Sequence, residues 1–373
     1  MGPPHGRIRR VSLLPTTPRL LLGPGPSPVL PRVLNAMVAP QRSHLDPDMI
    51  ALLDDIRRRL HGLFNVSAEG IAFAVPGTGS SGLEAAVANV VGEGDAVLCV
   101  VTGYFGDRLA QVCERYGATV TRLNGEWGRA IDPAAVQTAL EHAAFKVVTI
   151  VHAETSTGVL QPVQDVAALA RAHGARIIVD AVTSFGAHPV DVDGWGLDVV
   201  YSCSQKGVGA PSGFAPIAFN AATRAVAKSR SFYLDLPLLE GYWIKRGYHH
   251  TISTPLVYAL HEALSLIDEE GMEARSARHA RVHGEFVAAL AEMGLSLLPP
   301  EGERLWTLNT VRIPERVTDE AKVRVALRDT HGIEIGAGLG PLAGKIWRVG
   351  LMGAGATSEN VQQLIAALKS EIG

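Results

Sequence analysis

The sequence predicts an α/β protein in which a large domain built on a mostly parallel sheet is followed by a smaller C-terminal α+β domain. Three observations carry this. From about residue 70, short β-branched runs alternate with longer amphipathic stretches, the pattern of βα units feeding a parallel sheet. After "YHHTISTP" (248–255) the alternation gives way to two long helical patterns and a mixed tail, which sets a domain boundary near residue 260. The 373 residues are 47% apolar and 19% charged, enough chain for more than one core and too apolar for disorder.

The elements follow in order. Residues 1–20 read as a loose N-terminal arm, because prolines at 3, 4, 15 and 18 break the amphipathic helix that a transit peptide needs, and a secretion signal's apolar core is missing. "LLGPGPSPVLPRV" (21–33) is rich in Pro and Gly, but its apolar flanks predict an ordered loop. Strands are expected at "AVLCVV" (96–101), "ATVTRL" (118–123), "KVVTIV" (146–151), "ARIIVD" (175–180), "LDVVYS" (197–202) and "APIAF" (215–219), apolar enough to be covered on both faces. Crossover helices are expected at 82–91, 106–117, 133–144 and 163–173, then long helices at 255–270 and 273–293. The large domain thus spans 21–260 and the small one 261–373.

A net charge of −3 gives no electrostatic reason to expect nucleic acid or an anionic membrane as partner. The partner is expected to be small. Three cysteines, Cys99, Cys113 and Cys203, lack CxxC spacing, so the expectation is a reducing, cytoplasmic setting without a disulfide framework or zinc knuckle. No run of 18 apolar residues is present.

"GTGSSG" (77–82) matches GxGxxG, but a dinucleotide fold wants an acid about 20 residues on, at the end of the second strand. The nearest acids, Asp95 and Asp107, stand before that strand and in the next helix. What remains is a loop-to-helix junction whose N–H groups suit a phosphate, with hydroxyls from Thr78 and Ser80, or a plain helix cap. Asp180 ends "ARIIVD", where open α/β sheets place ligands, and a carboxylate there can hold a protonated ring nitrogen or cap a helix. Lys206, in "YSCSQKGVGAPSG" (201–213), follows the next strand after a short turn. Adjacent parallel strands bring both to one rim with the "GTGSSG" loop. Phosphate cup, acid and lysine are the parts that pyridoxal phosphate needs.

The motifs "GPGPS" (23–27), "HAETSTGVLQP" (152–162), "VDAVTSFG" (179–186), "YSCSQKGVGAPSG", "YHHTIS" (248–253) and "GKIWRVGLMG" (344–353) occur in one order. Together they resemble the class V, fold-type I pyridoxal-phosphate aminotransferases, and within them the alanine/serine–glyoxylate (or pyruvate) branch. The resemblance implies a seven-stranded, mostly parallel sheet and a homodimer with shared active sites. It makes Lys206 the Schiff-base lysine and Asp180 the partner of the pyridine nitrogen. Thr78, Gly79, Ser80 and Gln205 would hold the phosphate, with Tyr248 and Thr251 reaching in from the second subunit. Phe105 stacks on one ring face, Val182 packs the other, and Thr155 sits near the 3-hydroxyl. Gly25, Thr155 and Arg348 are the substrate-binding residues, Arg348 as a planar clamp for the carboxylate. Two positions depart from the branch: Phe105 stands where Trp is common, and Ser80 where His is common.

The implied chemistry is ping-pong transamination. Asp180 keeps the ring nitrogen protonated, Lys206 leaves its internal aldimine to carry a proton between Cα and C4′, and Arg348 orients the substrate. Alternatives within the fold are donors such as ureidoglycine, an aminophosphonate or a secondary-metabolite amine. A desulfurase needs a nucleophilic cysteine late in the chain, and none follows Cys203. A non-catalytic module would have lost Lys206 or Asp180. No metal is expected: His249 and His250, being adjacent, are read as pointing apart, and His152 and His188 as satisfied loop residues.

Overall fold

Seven strands make the central sheet of the computed structural model, which describes residues 14–15 and 17–373. Residues 1–13 and 16 of the expected arm lie outside the described residues. The strands are β1 (Ile71–Gly77), β2 (Ala96–Val101), β3 (Thr119–Asn124), β4 (Val147–Val151), β5 (Arg176–Asp180), β6 (Val199–Tyr201) and β7 (Gly213–Phe219). Their order across the sheet is β1-β7-β6-β5-β4-β2-β3. Strands β3, β2, β4, β5 and β6 are mutually parallel, whereas β7 runs antiparallel to both of its neighbours, β6 and β1. All six predicted strands are present within a residue or two of their expected ends. Strand β1 is not among them, since its run "IAFAV" closes on Pro76 and Gly77, residues that usually end or edge a strand. It lies at the sheet edge, where a proline is tolerated.

Helices pack on the sheet as the crossovers require: α2 (Gly79–Val90), α3 (Tyr104–Arg115), α4 (Pro133–His142) and α5 (Val163–Ala172), preceded by α1 (Pro47–Phe64). Helix α1, absent from the predicted elements, has clear local causes. Asp46 accepts from the Asp48 N–H as N-cap, Pro47 occupies the first turn, and Asn65 closes the helix in the left-handed region at φ 47°. Its face of Met49, Leu53, Ile56, Leu60 and Phe64 is buried in the main core with the sheet and with α6 (Thr254–Glu270).

After α6 come α7 (Met272–Glu292) and an antiparallel sheet of β8 (Leu308–Arg312), β10 (Ile346–Gly350) and β9 (Gly336–Ala337), in that order across the sheet. Helices α8 (Glu320–Thr330) and α9 (Ser358–Ile372) complete this part. A second apolar core forms here from Val282, Phe286, Leu327, Trp347, Val349 and Leu364, joined by Leu22 from far upstream. Leu20–Leu21 pair in parallel with Ile333–Glu334, so the "GPGPS" loop begins at the second core. It ends at the first: Ser27 N donates to Gln205 O and Ser27 Oγ to Lys206 O, both at 2.9 Å. Among the described residues no helix is long and apolar enough to cross a membrane.

Helix α2 lies directly against the sheet at Gly82, where a Cβ would come within 3.0 Å of Ala215 Cβ and 3.2 Å of Tyr201 Cβ. Gly82→Val should therefore lift α2 and cost about 1–3 kcal/mol of stability by overpacking. A urea midpoint equal to the parent's would contradict this packing.

Candidate active site

The parallel strands β4, β5 and β6 end in register, with Val151 beside Asp180 and Asp180 beside Tyr201. Their C-terminal ends form the rim where side chains emerge toward a ligand. Asp180 is only 3% exposed. Its Oδ1 accepts from the Val182 N–H at 2.8 Å and its Oδ2 from the Tyr201 hydroxyl at 2.7 Å. Burial pushes its carboxyl above the usual range, while those two donors and the Lys206 ammonium pull it back. A cation brought beside it would favour the carboxylate.

Lys206 is 8% exposed, and its Nζ donates to Thr183 Oγ1 at 3.0 Å and Thr155 Oγ1 at 3.3 Å, two hydroxyls and no carboxylate. Burial pushes its pKa down to about 8, against smaller opposing effects of Cys203 and Asp180. The amine is thereby part-neutral in a range where an exposed lysine is fully charged. Gly25 makes room for its stem: a Cβ there would sit 2.9 Å from Lys206 Cε, and its φ of +118° is itself a glycine conformation.

At the neighbouring helix end, Thr78 caps α2 by accepting from the Ser80 N–H at 3.3 Å. The predicted helix 82–91 starts three residues early, so Gly79 and Ser80 form its first turn and turn their amides toward the positive end of the helix. Gln205 lies on the same cavity, and its buried Oε1 has no hydrogen-bond partner among the described residues. Rotating that amide presents an N–H2 instead, which an anionic oxygen would satisfy.

From the second core, β10 sends in Arg348, 8% exposed. Its Nε donates to Ala337 O at 2.6 Å and its Nη1 to Thr155 O at 3.5 Å. Burial pushes its pKa down to about 10, with Glu154 opposing. No carboxylate pairs with it among the described residues.

One cavity of about 330 Å³ collects these groups. Gly25, Thr78, Gly79, Ser80, Phe105, Thr155, Asp180, Val182, Gln205, Lys206 and Arg348 all line it, as do Pro24, Leu83, Arg108 and Leu339. Tyr248 and Thr251 do not: both are exposed, Tyr248 by 69%, on the segment that follows the short helix Leu236–Trp243.

Residues 21–364 match the family model for aminotransferase class V. The chain is 36% identical to a (S)-ureidoglycine–glyoxylate transaminase of Bacillus subtilis, over 94% of this chain and 90% of the other. It is 35% identical to an alanine–glyoxylate aminotransferase of Drosophila melanogaster, over 99% and 96%. A crystal structure of an alanine–glyoxylate aminotransferase from Nostoc sp. superposes with a TM-score of 0.94 at 43% identity, covering 98% of both chains. The chain is a class V aminotransferase. Its architecture is fold type I, and "GTGSSG" opens a helix of this aminotransferase rather than a dinucleotide site.

Two expectations about the aminotransferase's side chains need correcting. His249 and His250 do not point apart: their Nδ1 atoms lie 2.8 Å from each other, because the segment 246–253 is neither helix nor strand. His152 is not satisfied, since its buried Nδ1 has no partner among the described residues. His188 is, with Nε2 accepting from the Trp306 N–H at 3.3 Å. The residues that sequence reasoning missed are Thr183, Tyr201 and Arg108. Thr183 and Tyr201 stood inside the quoted motifs, and Arg108, one turn beyond Phe105 with its guanidinium 5.4 Å from that ring, had the helical spacing as its signal.

The depressed lysine gives a direct expectation. In protein freed of cofactor, reaction of Lys206 with a carbonyl reagent, followed by mass spectrometry after borohydride reduction, should rise with a midpoint near pH 8, against the ordinary 10.5. A midpoint at 10 or above would mean that the amine is solvated.

Proposed function

We propose that this aminotransferase transfers the amino group of a small amino acid, alanine or serine, to glyoxylate or pyruvate, using pyridoxal 5′-phosphate and alternating half-reactions. The observation that carries the reading is the pair of buried cations, Lys206 and Arg348, each without an acid partner among the described residues, facing one cavity beside Asp180. Unpaired buried charge is costly, so the cavity suits a ligand that supplies the missing anions.

The residues present fit the cofactor. Thr78, Gly79, Ser80 and Gln205 would take the phosphate at the positive end of α2, where the partnerless Gln205 amide gains an acceptor. Phe105 and Val182 would cover the two faces of a flat ring, Thr155 would meet its hydroxyl, and Asp180 would hold its protonated nitrogen. When bound, the group supplies an electron sink that acidifies the Cα–H of an attached amine. Lys206, about half neutral at pH 8, would take up that proton at Nζ and give it back, held in place by the Thr155 and Thr183 hydroxyls. The Arg348 guanidinium would take the substrate carboxylate and, with Gly25 on the same cavity, fix the direction of the Cα–H bond. The modest cavity, with Pro24, Phe105 and Leu339 in its lining, favours a short substrate side chain.

A second reading, transfer from a specialised donor such as ureidoglycine, an aminophosphonate or a secondary-metabolite amine, is favoured by the relative named for ureidoglycine. It would share nearly every cofactor residue.

We further propose a homodimer in which Tyr248 and Thr251 complete the partner's phosphate site. Their exposure, and that of Leu34, Val38, Phe232 and Tyr233, supports it. The chain divides into a large domain of 21–260 and a small one of 261–373, with α6 packed on the large side. The three cysteines, buried and free, suit the cytoplasm.

Four measurements test these statements. A panel of single amines mixed with the loaded enzyme, followed by visible absorbance, should show the fastest bleaching with alanine or serine; ureidoglycine far ahead of both would select the second reading. Lys206→Ala should lower turnover by about a thousandfold or more, since it removes both the covalent anchor and the proton carrier, and parental rates would sink the proposal. Sedimentation should give a dimer, and Tyr248→Phe should weaken pyridoxal phosphate binding; a stable, fully active monomer excludes the shared site.

A further inference from the structure

Helix α3, which carries Phe105 and Arg108 on the cavity wall, starts without a cap of its own. Its N-cap, Gly103, has no side chain, so the first N–H groups of the helix need acceptors from elsewhere. They find them on the segment 154–156, whose Thr155 lines the cavity floor. Tyr104 N donates to Ser156 Oγ at 2.9 Å, Phe105 N to Glu154 Oε1 at 3.4 Å and Gly106 N to Glu154 Oε2 at 3.2 Å. Glu154 Oε1 also accepts from Ser156 Oγ at 2.6 Å and from Ser156 N at 3.0 Å. Gly103 has to be glycine for this reason: a Cβ there would collide with the Glu154 side chain and with Ser156 Oγ.

The carboxylate is fully buried, at 0% exposure, with no cation in ion-pair contact among the described residues. Burial pushes its pKa up and the Asp180 charge adds to this, while the Ser156 and Gly106 donors oppose. A carboxylate at the positive end of a helix is nonetheless favoured there. Its chain neighbour Thr155 touches both buried cations, accepting from Lys206 Nζ through Oγ1 and from Arg348 Nη1 through its carbonyl. Wall and floor of the cavity therefore meet in one acid.

Resting on the proposed function above, we propose that Glu154 is a positioning residue of this site: by capping α3 from the segment that holds Thr155, it keeps Phe105, the Lys206 amine and Arg348 in one register. Its charge also reaches the two cations. It raises the pKa of Lys206 alongside Cys203 and Asp180, against the lowering effect of Arg348, and it raises that of Arg348.

Glu154→Gln keeps the length of the side chain, removes the charge and sets an N–H2 against helix amides that also donate. In cofactor-free protein, amide exchange at Tyr104, Phe105 and Gly106 should quicken about tenfold, the loss expected of a helix cap. The pH midpoint of Lys206 labelling should fall below the parent's, a change that a merely structural residue would not produce. Glu154→Asp, which keeps the charge, should restore the midpoint more than the exchange. Unchanged exchange and an unchanged midpoint in a folded Gln variant would overturn the assignment. Should that variant fail to fold, Ser156→Ala replaces it: the substitution keeps the acid and removes the acceptor of Tyr104 N, so faster exchange at Tyr104 supports the clamp and parental exchange rejects it. Both readouts need no cofactor. If the parent binds no pyridoxal phosphate, the functional reading falls, and the clamp is still decided by exchange.

Discussion

The site depends on keeping an amine dry. Moving Lys206 from its ordinary 10.5 to about 8 corresponds to about 3 kcal/mol of preference for the neutral form. That preference comes from burial, which hydroxyl partners and the more distant Cys203 and Asp180 do not offset. Had Asp180 been in contact with Lys206, the pair would have closed on itself and the lysine would have stayed an ammonium. Asp180 is instead engaged by Val182 and Tyr201, which turn its oxygens away from the amine.

The fold supplies this separation through strand register. Asp180 ends β5 opposite Tyr201 of β6, so the hydroxyl that holds the acid comes from the strand that leads to the lysine. Five residues beyond Tyr201, the turn brings Lys206 back over the same rim, and the Ser27 contacts to Gln205 and Lys206 carbonyls hold that turn from the other core. Arg348 arrives from the second sheet. The cavity therefore forms only when both cores and the "GPGPS" loop between them are in place.

How much of this was legible follows from how local each cause is. Asp180 could be read because it closes a run of strand formers, and Lys206 because it follows the next strand after a short turn of small residues, each an unusual place for a charge within a window of a few residues. The six predicted strands were legible for the same reason. Helix α1 was overlooked although Asp46, Pro47 and its apolar face declare it, and β1 was overlooked because Pro76 interrupts its pattern. The role of Glu154 could not be read at all: the amides it faces are 48 and 49 residues away, and only the missing Cβ of Gly103 marks the place. His249 and His250 show the limit of periodic reasoning, since alternation of side chains holds only where the backbone is regular.

Asp180, Lys206 and Arg348 thus line one cavity, with Glu154 buried beside its lining residue Thr155, and none of the four neutralises another by contact. Asp180 is satisfied by an amide and a phenol, Glu154 by amides and a serine, Lys206 by two threonines, and Arg348 by carbonyls. Neutral partners satisfy hydrogen bonds but leave the charges uncompensated, so the protein's own groups offset desolvation only in part. A ligand carrying an anion toward Arg348 and a cation toward Asp180 would complete the compensation from within. The same burial that makes the free protein less stable than it could be would then become binding energy, and ligand occupancy would raise apparent stability by mass action. In this arrangement, the gaps between charges are what the ligand recognises.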